Sequence, residues 1–294
     1  MSDVDAETRS PAGSAADGAA ASLVVVGSCN MDLTAHARRL PRPGETLIAH
    51  GFTQRAGGKG ANQAVAAARQ GLAVSLVSAV GDDVFGETIL EVLREEGVEV
   101  GRVATVPGSS GIALIVVDDE GEDTIVVSPG AGQHVSVEDC DLAAPNAVLA
   151  QLEIPIGVVG QAAQRTAGMF CLNASPYAEL GDELVECCDL IIVNRSEYEL
   201  GRAELDHARL LCVTLGADGA KLMRCGREVA SATSPEVRAV DTVGAGDAFV
   251  GALVAEILRG GDPEAALEVA CRAGALATTQ FGAQAALPYR EELT

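Results

Sequence analysis

The chain has 294 residues, enough for one large α/β domain with room for a small appendage. Hydrophobic residues make up 48% of it and aromatic residues only 3%, so the core must be aliphatic, and base-stacking surfaces for nucleic acid are not expected. The formal net charge of −22 repels phosphate backbones and anionic lipids. Nucleic acid and membrane surfaces are therefore excluded as expected partners.

The beginning of the chain differs in composition from the rest. Residues 1–22 are rich in Ala, Ser, Gly and Asp and lack the basic start and apolar centre of a signal peptide, which predicts a disordered tail before a single domain over 23–294. The apolar runs are far shorter than the ~20 residues of a membrane crossing. The 8 cysteines form no C-x-x-C pair, so reduced thiols and a cytoplasmic location are expected.

Acidic residues outnumber basic ones by 42 to 20. A dense acidic surface keeps a protein hydrated and dispersed when concentrated salt screens its charge repulsion. We therefore hypothesise that the protein works in the high-salt cytoplasm of a halophile.

Short apolar runs predict the strands of a buried sheet, at 23–27, 74–77, 147–152, 169–172, 190–193 and 211–214. Helical patterns lie between most of them, such as 61–70 and 87–96, each followed by a helix-ending glycine. Two further helices are predicted over 247–259 and 263–279. This alternation predicts an α/β fold with a doubly wound, mainly parallel sheet and helices on both faces.

Two stretches interrupt the alternation. Residues 40–53 contain two prolines, and residues 112–127 contain two β-rich runs joined by an acidic turn, so both are typical of hairpins. We expect a small β lid with strands contributed by about 33–54 and 111–127. It would cover the sheet edge where open α/β sheets bind ligands.

A first glycine cluster, at residues 57–60, opens the first helix. It is not a phosphate-binding P-loop, because Thr53 stands where that motif needs Gly and Gly60 where it needs Ser or Thr. Its small residues allow a ligand to approach the backbone, with Lys59 and Asn62 as nearby donors. A plain turn is the alternative interpretation.

A second cluster, Asp241-Thr242-Val243-Gly244-Ala245-Gly246-Asp247, opens a later helix. Its small residues leave backbone N–H groups free to stabilise a developing negative charge. Asp247 within such a site is either a helix cap or a general base that takes a proton from a hydroxyl attacking phosphorus.

Polar residues follow two of the predicted strands. Asn30 and Asp32 are two positions apart, so in extended chain they face the same side and could bind vicinal hydroxyls, or simply form a polar turn. Asn194 and Glu197 fit a helix cap with an acid in the first turn, and equally a carboxylate for hydrated Mg²⁺. Each interpretation stays open on spacing alone.

These motifs together resemble the ribokinase-like, or PfkB, family of carbohydrate kinases. The resemblance runs from about residue 23 to 288 and rests on residues 27–32, 43–46, 57–64, 81–83, 151–153, 172–176, 213–216, 241–247 and 282–284. It implies a sugar and a nucleotide as small-molecule ligands. It also favours the general-base interpretation of Asp247.

The resemblance implies a role for each matching position. The sugar would be held by Asn30, Asp32, Gly58, Lys59, Asn62 and Glu153, together with Asp247. The anion hole would be formed by the amides of Gly244, Ala245, Gly246 and Asp247. The ATP site would be lined by Asn194, Thr214, Leu215, Gly216, Ala217, Asp218, Gly219, Gly246 and Cys271. Glu197 would act on Mg²⁺ through water.

The resemblance also implies an activating K⁺ and a homodimer. The cation would be held by Asp241 and by carbonyls at Val243, Ala277, Gln280, Gly282 and Ala286. The two lids of the dimer would clasp each other over the sugar sites.

The sequence departs from the family pattern in two places. Cys271 stands where the family commonly has a polar residue beside adenine. The interval from Asn194 to Thr214 is shorter than in the family and has room for one crossover helix instead of two.

The expected activity is ATP-dependent phosphorylation of the 5-hydroxyl of D-ribose to ribose 5-phosphate. The alternatives are a kinase of the same fold for another pentose derivative, a nucleoside or a hexose, and a non-catalytic sugar-binding protein on the kinase scaffold.

Overall fold

A computed structural model of the protein describes residues 20–293. The predicted tail over 1–22 lies almost wholly outside the described residues. The strands are β1 (Ser22–Val26), β2 (Asn30–His36), β3 (Gly51–Gly57), β4 (Ala73–Gly81), β5 (Val103–Val106), β6 (Gly111–Val117), β7 (Asp123–Ser128), β8 (Ala147–Gln151), β9 (Met169–Asn173), β10 (Leu190–Asn194), β11 (Leu211–Thr214), β12 (Ala220–Arg224) and β13 (Arg227–Ala232). The α-helices are α1 (Lys59–Arg69), α2 (Val84–Glu95), α3 (Ile156–Arg165), α4 (Asp182–Cys187), α5 (Arg195–Leu205), α6 (Ala245–Leu258) and α7 (Pro263–Ala277).

The main sheet has nine strands in the order β13-β12-β11-β10-β9-β8-β1-β4-β5. Strands β11 to β5 in this order run parallel, which confirms the expected doubly wound α/β fold. The antiparallel hairpin β12–β13 at one edge was not predicted. Its two-residue turn uses Cys225 and Gly226, both with positive φ, and lacks the Asn-Gly or Asp-Gly pair that marks such turns in sequence.

Both faces of the main sheet are covered, as continuous apolar strands require. In β1, Leu23 and Val25 pack into a cluster with α1, α2, α6 and α7, while Val24 and Val26 pack against α3, α4 and α5 on the other face. Successive strand side chains point to opposite faces, so one short run supplies two cores.

The lid is a separate four-stranded sheet in the order β3-β2-β6-β7. Its first strand starts at Asn30, after three residues that follow β1, and so earlier than the expected residue 33. Its last strand ends at Ser128. Residues 37–50 form no strand, because Pro41 and Pro43 cannot donate to a sheet ladder. The lid is therefore connected to the carboxyl end of β1, a central strand of the main sheet.

The short interval after β10 contains a single crossover helix, α5, before β11. The sheet closes around it, and Asn194 and Thr214 remain neighbours in the parallel register. Among the helices of residues 20–293, none combines the length and apolar character that a bilayer crossing demands.

Candidate active site

Asn30 and Asp32 lie on β2 with their side chains on one face, as the spacing predicts. Asn30 is buried, and its Oδ1 lies against Gly111 of the neighbouring strand. The Asp32 carboxylate lies against Gly57, where any β-carbon would overlap it. Glycine at 57 is therefore required for Asp32 to occupy this place.

The first glycine cluster joins the lid to α1. Gly58 has a φ of 89°, a conformation that favours glycine, and the N–H of Lys59 donates to Glu153 Oε2 over 2.9 Å. The same oxygen accepts from the Ser28 hydroxyl. Glu153 follows β8, so it ties the carboxyl ends of two central strands to the start of α1.

Asp247 lies in the first turn of α6 and does not cap it. The N-cap is Gly244, with a φ of 82°, and no side chain caps this turn, although the N–H of Ala245 donates to the Thr242 carbonyl oxygen over 3.3 Å. Asp247 is 6% exposed and accepts from Asn62 Nδ2 and Gln63 Nε2, each over 2.9 Å. The helix-cap interpretation of Asp247 is therefore wrong, because its carboxylate is turned toward α1.

Lys59 lies among carboxylates from both ends of the site. Burial alone would lower its pKa, but the nearby negative charges of Asp247, Glu153 and Glu197 outweigh it, so the pKa of Lys59 is raised. Burial, with further repulsion from Glu153 and Asp247, raises the pKa of Asp32 to about 7. Lys59 and the carboxylates of Asp32, Glu153 and Asp247 thus interact electrostatically with one another.

The second predicted group lies at the ends of β10 and β11. Asn194 caps α5 and forms a capping box with Glu197, because Asn194 Oδ1 accepts from the N–H of Glu197 over 2.9 Å and Glu197 Oε2 accepts from the N–H of Asn194 over 2.8 Å. The cap interpretation of this pair is confirmed. Glu197 keeps Oε1 outside the box.

The loop from Thr214 to Gly219 follows β11 beside Asn194. Its middle, from Gly216 to Asp218, is exposed, and Gly219 has a φ of 99°. Cys271 on α7 is buried 3.9 Å from the Ala232 carbonyl oxygen, at the end of β13. Residues 216–218 therefore lie on an open surface, in contrast to the buried sugar side, whereas Gly219 and Cys271 are buried.

Asp241 joins two loops beside the start of α6. Its Oδ1 accepts from the N–H of Val243 over 3.0 Å, and its Oδ2 accepts from the N–H of Gly282 over 2.8 Å. Ala283 packs directly against Gly244, so the loop is in contact with the N-terminus of α6. Ala277 ends α7 and Ala286 is buried, whereas Gln280 is exposed.

Three buried amide side chains behind Asp247 were not predicted as site residues. Gln63, Gln151 and Asn173 are linked by hydrogen bonds, and the first of them reaches Asp247. Their signal was present in the sequence, because Gln151 and Asn173 are polar residues that end apolar strands and Gln63 adjoins Asn62. Without the fold, nothing indicated that these positions converge.

A cavity of about 550 Å³ lies elsewhere, between β3, α2 and the loop at 284–285. It contains none of the predicted sugar or nucleotide residues. In residues 20–293, no three His, Cys, Asp or Glu side chains are grouped to hold a metal ion. The candidate site is therefore defined by its charged and amide side chains and by the amides of α6.

Residues 20–290 match the family described as pfkB family carbohydrate kinase. The chain belongs to this family. Ribokinase from Bacillus subtilis is 35% identical, covering 92% of this chain and 97% of its own length. Deoxyribokinase from Salmonella typhi is 34% identical over 92% of this chain and 96% of its own.

Ribokinase from Arabidopsis thaliana, solved in complex with ribose and ATP, has the same fold, with a TM-score of 0.83 and 29% identity. The match covers 93% of this chain and 97% of that one. The resemblance to the carbohydrate kinases is thus confirmed over residues 20–290.

Proposed function

We propose that this protein is an ATP-dependent kinase that transfers a phosphoryl group to the 5-hydroxyl of D-ribose, giving ribose 5-phosphate and ADP. The observation that carries this proposal is the pair Asp247 and Asn62. Asp247 is a buried carboxylate at the start of α6, and Asn62 Oδ1 beside it is a buried acceptor with no hydrogen-bond partner. A polyol would supply the missing donor.

The sugar-side residues fit the hydroxyls of a pentose. Asn30, Asp32 and Glu153 offer hydrogen-bond acceptors. The Lys59 ammonium offers a charged donor, and the Asn62 amide offers a further acceptor oxygen. Gly58 lets the ligand approach the backbone closely. These groups would bind and orient the sugar so that one primary hydroxyl meets Asp247.

Asp247 is proposed to be the general base. It takes the proton from the 5-hydroxyl as that oxygen attacks the terminal phosphorus of ATP, and the bond to ADP breaks. The amides of Gly244, Gly246 and Asp247 would face the negative charge that develops on the transferred group. The Ala245 amide, also expected there, donates to the Thr242 carbonyl oxygen over 3.3 Å and would have to exchange or share that bond. Gly246 is exposed, which leaves room for that group.

Asn194, Cys271 and the residues from Thr214 to Gly219 are proposed to line the nucleotide site. Glu197 fits Mg²⁺, because its Oε2 is fixed by the capping box and a carboxylate oxygen is a preferred ligand of this ion or of its water shell. Mg²⁺ would neutralise charge on the nucleotide phosphates. Mg·ADP at about 100 times its Kd should stabilise the fold by roughly 2.7 kcal/mol, which a thermal scan would detect as a higher melting temperature. An unchanged melting temperature would indicate that the shortened segment from Asn194 to Thr214 has removed the nucleotide site.

The loops around Asp241 are proposed to hold K⁺. The donor set there is oxygen only, from the Asp241 carboxylate and backbone carbonyls at Val243, Ala277, Gln280, Gly282 and Ala286, which suits a hard cation. K⁺ would stabilise the loop that packs on Gly244 and so support the anion hole.

The lid is also proposed to mediate a homodimer. Leu114 and Val126 face each other across β6 and β7, on the same lid face as Phe52, and all three are large, apolar and exposed. Covering this face with a second lid would remove it from water. Sedimentation of the purified chain and of Leu114→Asp, which puts a charge into this face, would test the assembly.

A cytoplasmic, high-salt setting is proposed for the enzyme. All eight cysteines are free, which suits a reducing compartment, and ATP is an intracellular donor. The acidic excess suits concentrated KCl. An unfolding midpoint that does not change from low to multimolar KCl would contradict the halophilic part of the proposal.

The substrate is tested by a coupled ADP-release assay over D-ribose, 2-deoxyribose, fructose and nucleosides, with Asp247→Asn as the inactive control. D-ribose should have the highest kcat/KM. Deoxyribose is the second candidate, because the Salmonella typhi relative at similar identity is a deoxyribokinase. A protein that binds sugar but releases no ADP with any of them would be a non-catalytic sugar binder.

A further inference from the structure

We propose that Gln63 is a positioning residue for the reaction, holding Asp247 in place through a chain of buried amides anchored on three adjacent strands. This inference rests on the proposed role of Asp247 as the base. Gln63 itself would contact neither the sugar nor the nucleotide. It would act through the carboxylate that it binds.

The hydrogen bonds of Gln63 use its whole amide. Its Nε2 donates to Asp247 Oδ1 over 2.9 Å and to Asn173 Oδ1 over 2.8 Å, and its Oε1 accepts from Gln151 Nε2 over 2.7 Å. Gln63 and Gln151 are 0% exposed. Both hydrogens and the oxygen of the Gln63 amide therefore have partners in a site closed to water.

The direction of these bonds follows from Asp247. A carboxylate only accepts, so Gln63 must present Nε2 to it, which leaves Oε1 for the donor of Gln151. Asn173 must then present Oδ1 to Gln63, and its Nδ2 donates to the Ile192 carbonyl oxygen over 3.1 Å. A single arrangement satisfies every bond between these side chains.

The anchors lie on neighbouring strands of the sheet. Gln151 ends β8, Asn173 ends β9 and Ile192 belongs to β10, and these three strands are consecutive and parallel. Asp247, by contrast, is on α6, which has no side-chain cap at its start. The chain of amides thus fixes the base to the sheet, independently of the loop that precedes α6.

The two side-chain amides that hold Asp247 have different roles. Asn62 binds Oδ2 and has an unpartnered oxygen for the sugar, whereas Gln63 binds Oδ1 and is fully occupied by the protein. Loss of Gln63 should therefore misplace the base while leaving the sugar contacts intact. A small misplacement of a reacting group lowers turnover strongly.

The test compares Gln63→Leu with Gln70→Leu. Gln70 follows the last residue of the same helix, two turns away, and is 2% exposed. Its side-chain amide donates only to the Pro288 carbonyl oxygen, over 3.0 Å. Each substitution replaces a buried side-chain amide with an apolar side chain of similar size. We expect Gln63→Leu to lower kcat by about 10- to 100-fold with KM for the sugar within about threefold of wild type. Gln70→Leu should leave both within about twofold.

A double-mutant cycle with Asp247→Asn separates positioning from damage to the fold. If Gln63 acts through Asp247, Gln63→Leu should cause little further loss once the base is absent. Equal losses in the two backgrounds, or equal losses of kcat in Gln63→Leu and Gln70→Leu, would overturn the inference. If Gln63→Leu does not fold, Gln151→Leu takes its place in both comparisons, with a smaller loss of kcat expected and the same outcomes decisive.

The proposed function fails separately. A wild-type protein that phosphorylates none of the sugars, or an Asp247→Asn variant with the wild-type rate, would overturn the assignment of the base itself. An active wild type with an inactive Asp247→Asn variant, and no difference between Gln63→Leu and Gln70→Leu, would overturn only the role of Gln63.

Discussion

The sugar side and the nucleotide side of the candidate site are built in different ways. On the sugar side, Asp247, Asn62 and Gln63 are buried and bonded to one another. On the nucleotide side, Asn194 and the loop at 216–218 are exposed, and their internal bonds are a helix cap and a short turn. A buried network is suited to fixing the geometry of a reaction, and open backbone is suited to a ligand that enters and leaves.

The carboxylates of the two sides also have different effects on the stability of the fold. Burial and neighbouring carboxylates raise the pKa of Asp32, so ionising it in the folded protein is unfavourable. The carboxylate of Glu197 is instead used in a capping box, where it stabilises α5. The unfavourable ionisation of Asp32 therefore lies where specificity for a sugar is required, and functional sites commonly carry such a stability cost.

The largest effect should come from Asp247→Asn. This nearly isosteric change removes the proposed base while Asn30, Asp32 and Lys59 remain, so turnover should fall by roughly 10²- to 10⁴-fold. Ribose binding, measured by calorimetry, should remain detectable. Equal turnover in the two proteins would show that the buried carboxylate has no part in proton transfer.

A smaller loss of turnover is expected for Gly246→Ala, in the turn whose backbone amides are proposed to face the transferred phosphoryl group. A β-carbon there would meet no protein atom within 4 Å, and the position is helical, so the melting temperature should not fall. The added methyl group would hinder the phosphoryl group, lowering kcat by about tenfold. An unchanged kcat would place the transferred phosphate away from this turn.

Gly244→Ala is the matched control for that substitution. Its φ of 82° and its contact with Ala283 leave no room for a side chain, so this variant should lose stability as well as activity. The pair therefore distinguishes a glycine needed by the fold from one needed by the ligand.

The contrast between the two sides also explains what sequence could predict. The parallel sheet followed from apolar runs such as 190–193, and Asp32, Lys59 and Asp247 were identified from motifs. The chain of amides was not, because its members Gln63, Gln151 and Asn173 are far apart in sequence and meet only when strands are ordered. The β12–β13 hairpin was missed because Cys225-Gly226 is a weak turn signal.

Replacing K⁺ by Na⁺ at constant ionic strength should lower activity several-fold. The loops joined by Asp241 pack on Gly244, and carbonyls arranged around the larger ion would fit the smaller one poorly. Constant ionic strength is essential, because a chain with a net charge of −22 responds to salt alone. The same rate in both ions would remove the cation site from the proposal.

The last prediction concerns the stability of Asp32→Asn as a function of pH. The pKa of Asp32 is raised to about 7 in the folded protein from a usual value near 3.8, so the folded state binds more protons than the unfolded state between these values. Wild-type stability from this group is therefore lost as the pH rises through that window. Because Asn does not ionise, the gain in melting temperature should grow from pH 4 to 7 and then level off, reaching roughly ten degrees.

Asp123→Asn is the control for this change, because Asp123 is an exposed carboxylate on the lid strand β7. It should leave the melting temperature nearly unchanged at every pH. Asp32→Asn should at the same time weaken ribose binding, since the lost carboxylate is a proposed hydroxyl acceptor. A variant that gains no stability above pH 7 would show that Asp32 ionises freely in the folded protein. The charge cost would then not be what distinguishes the sugar side from the nucleotide side.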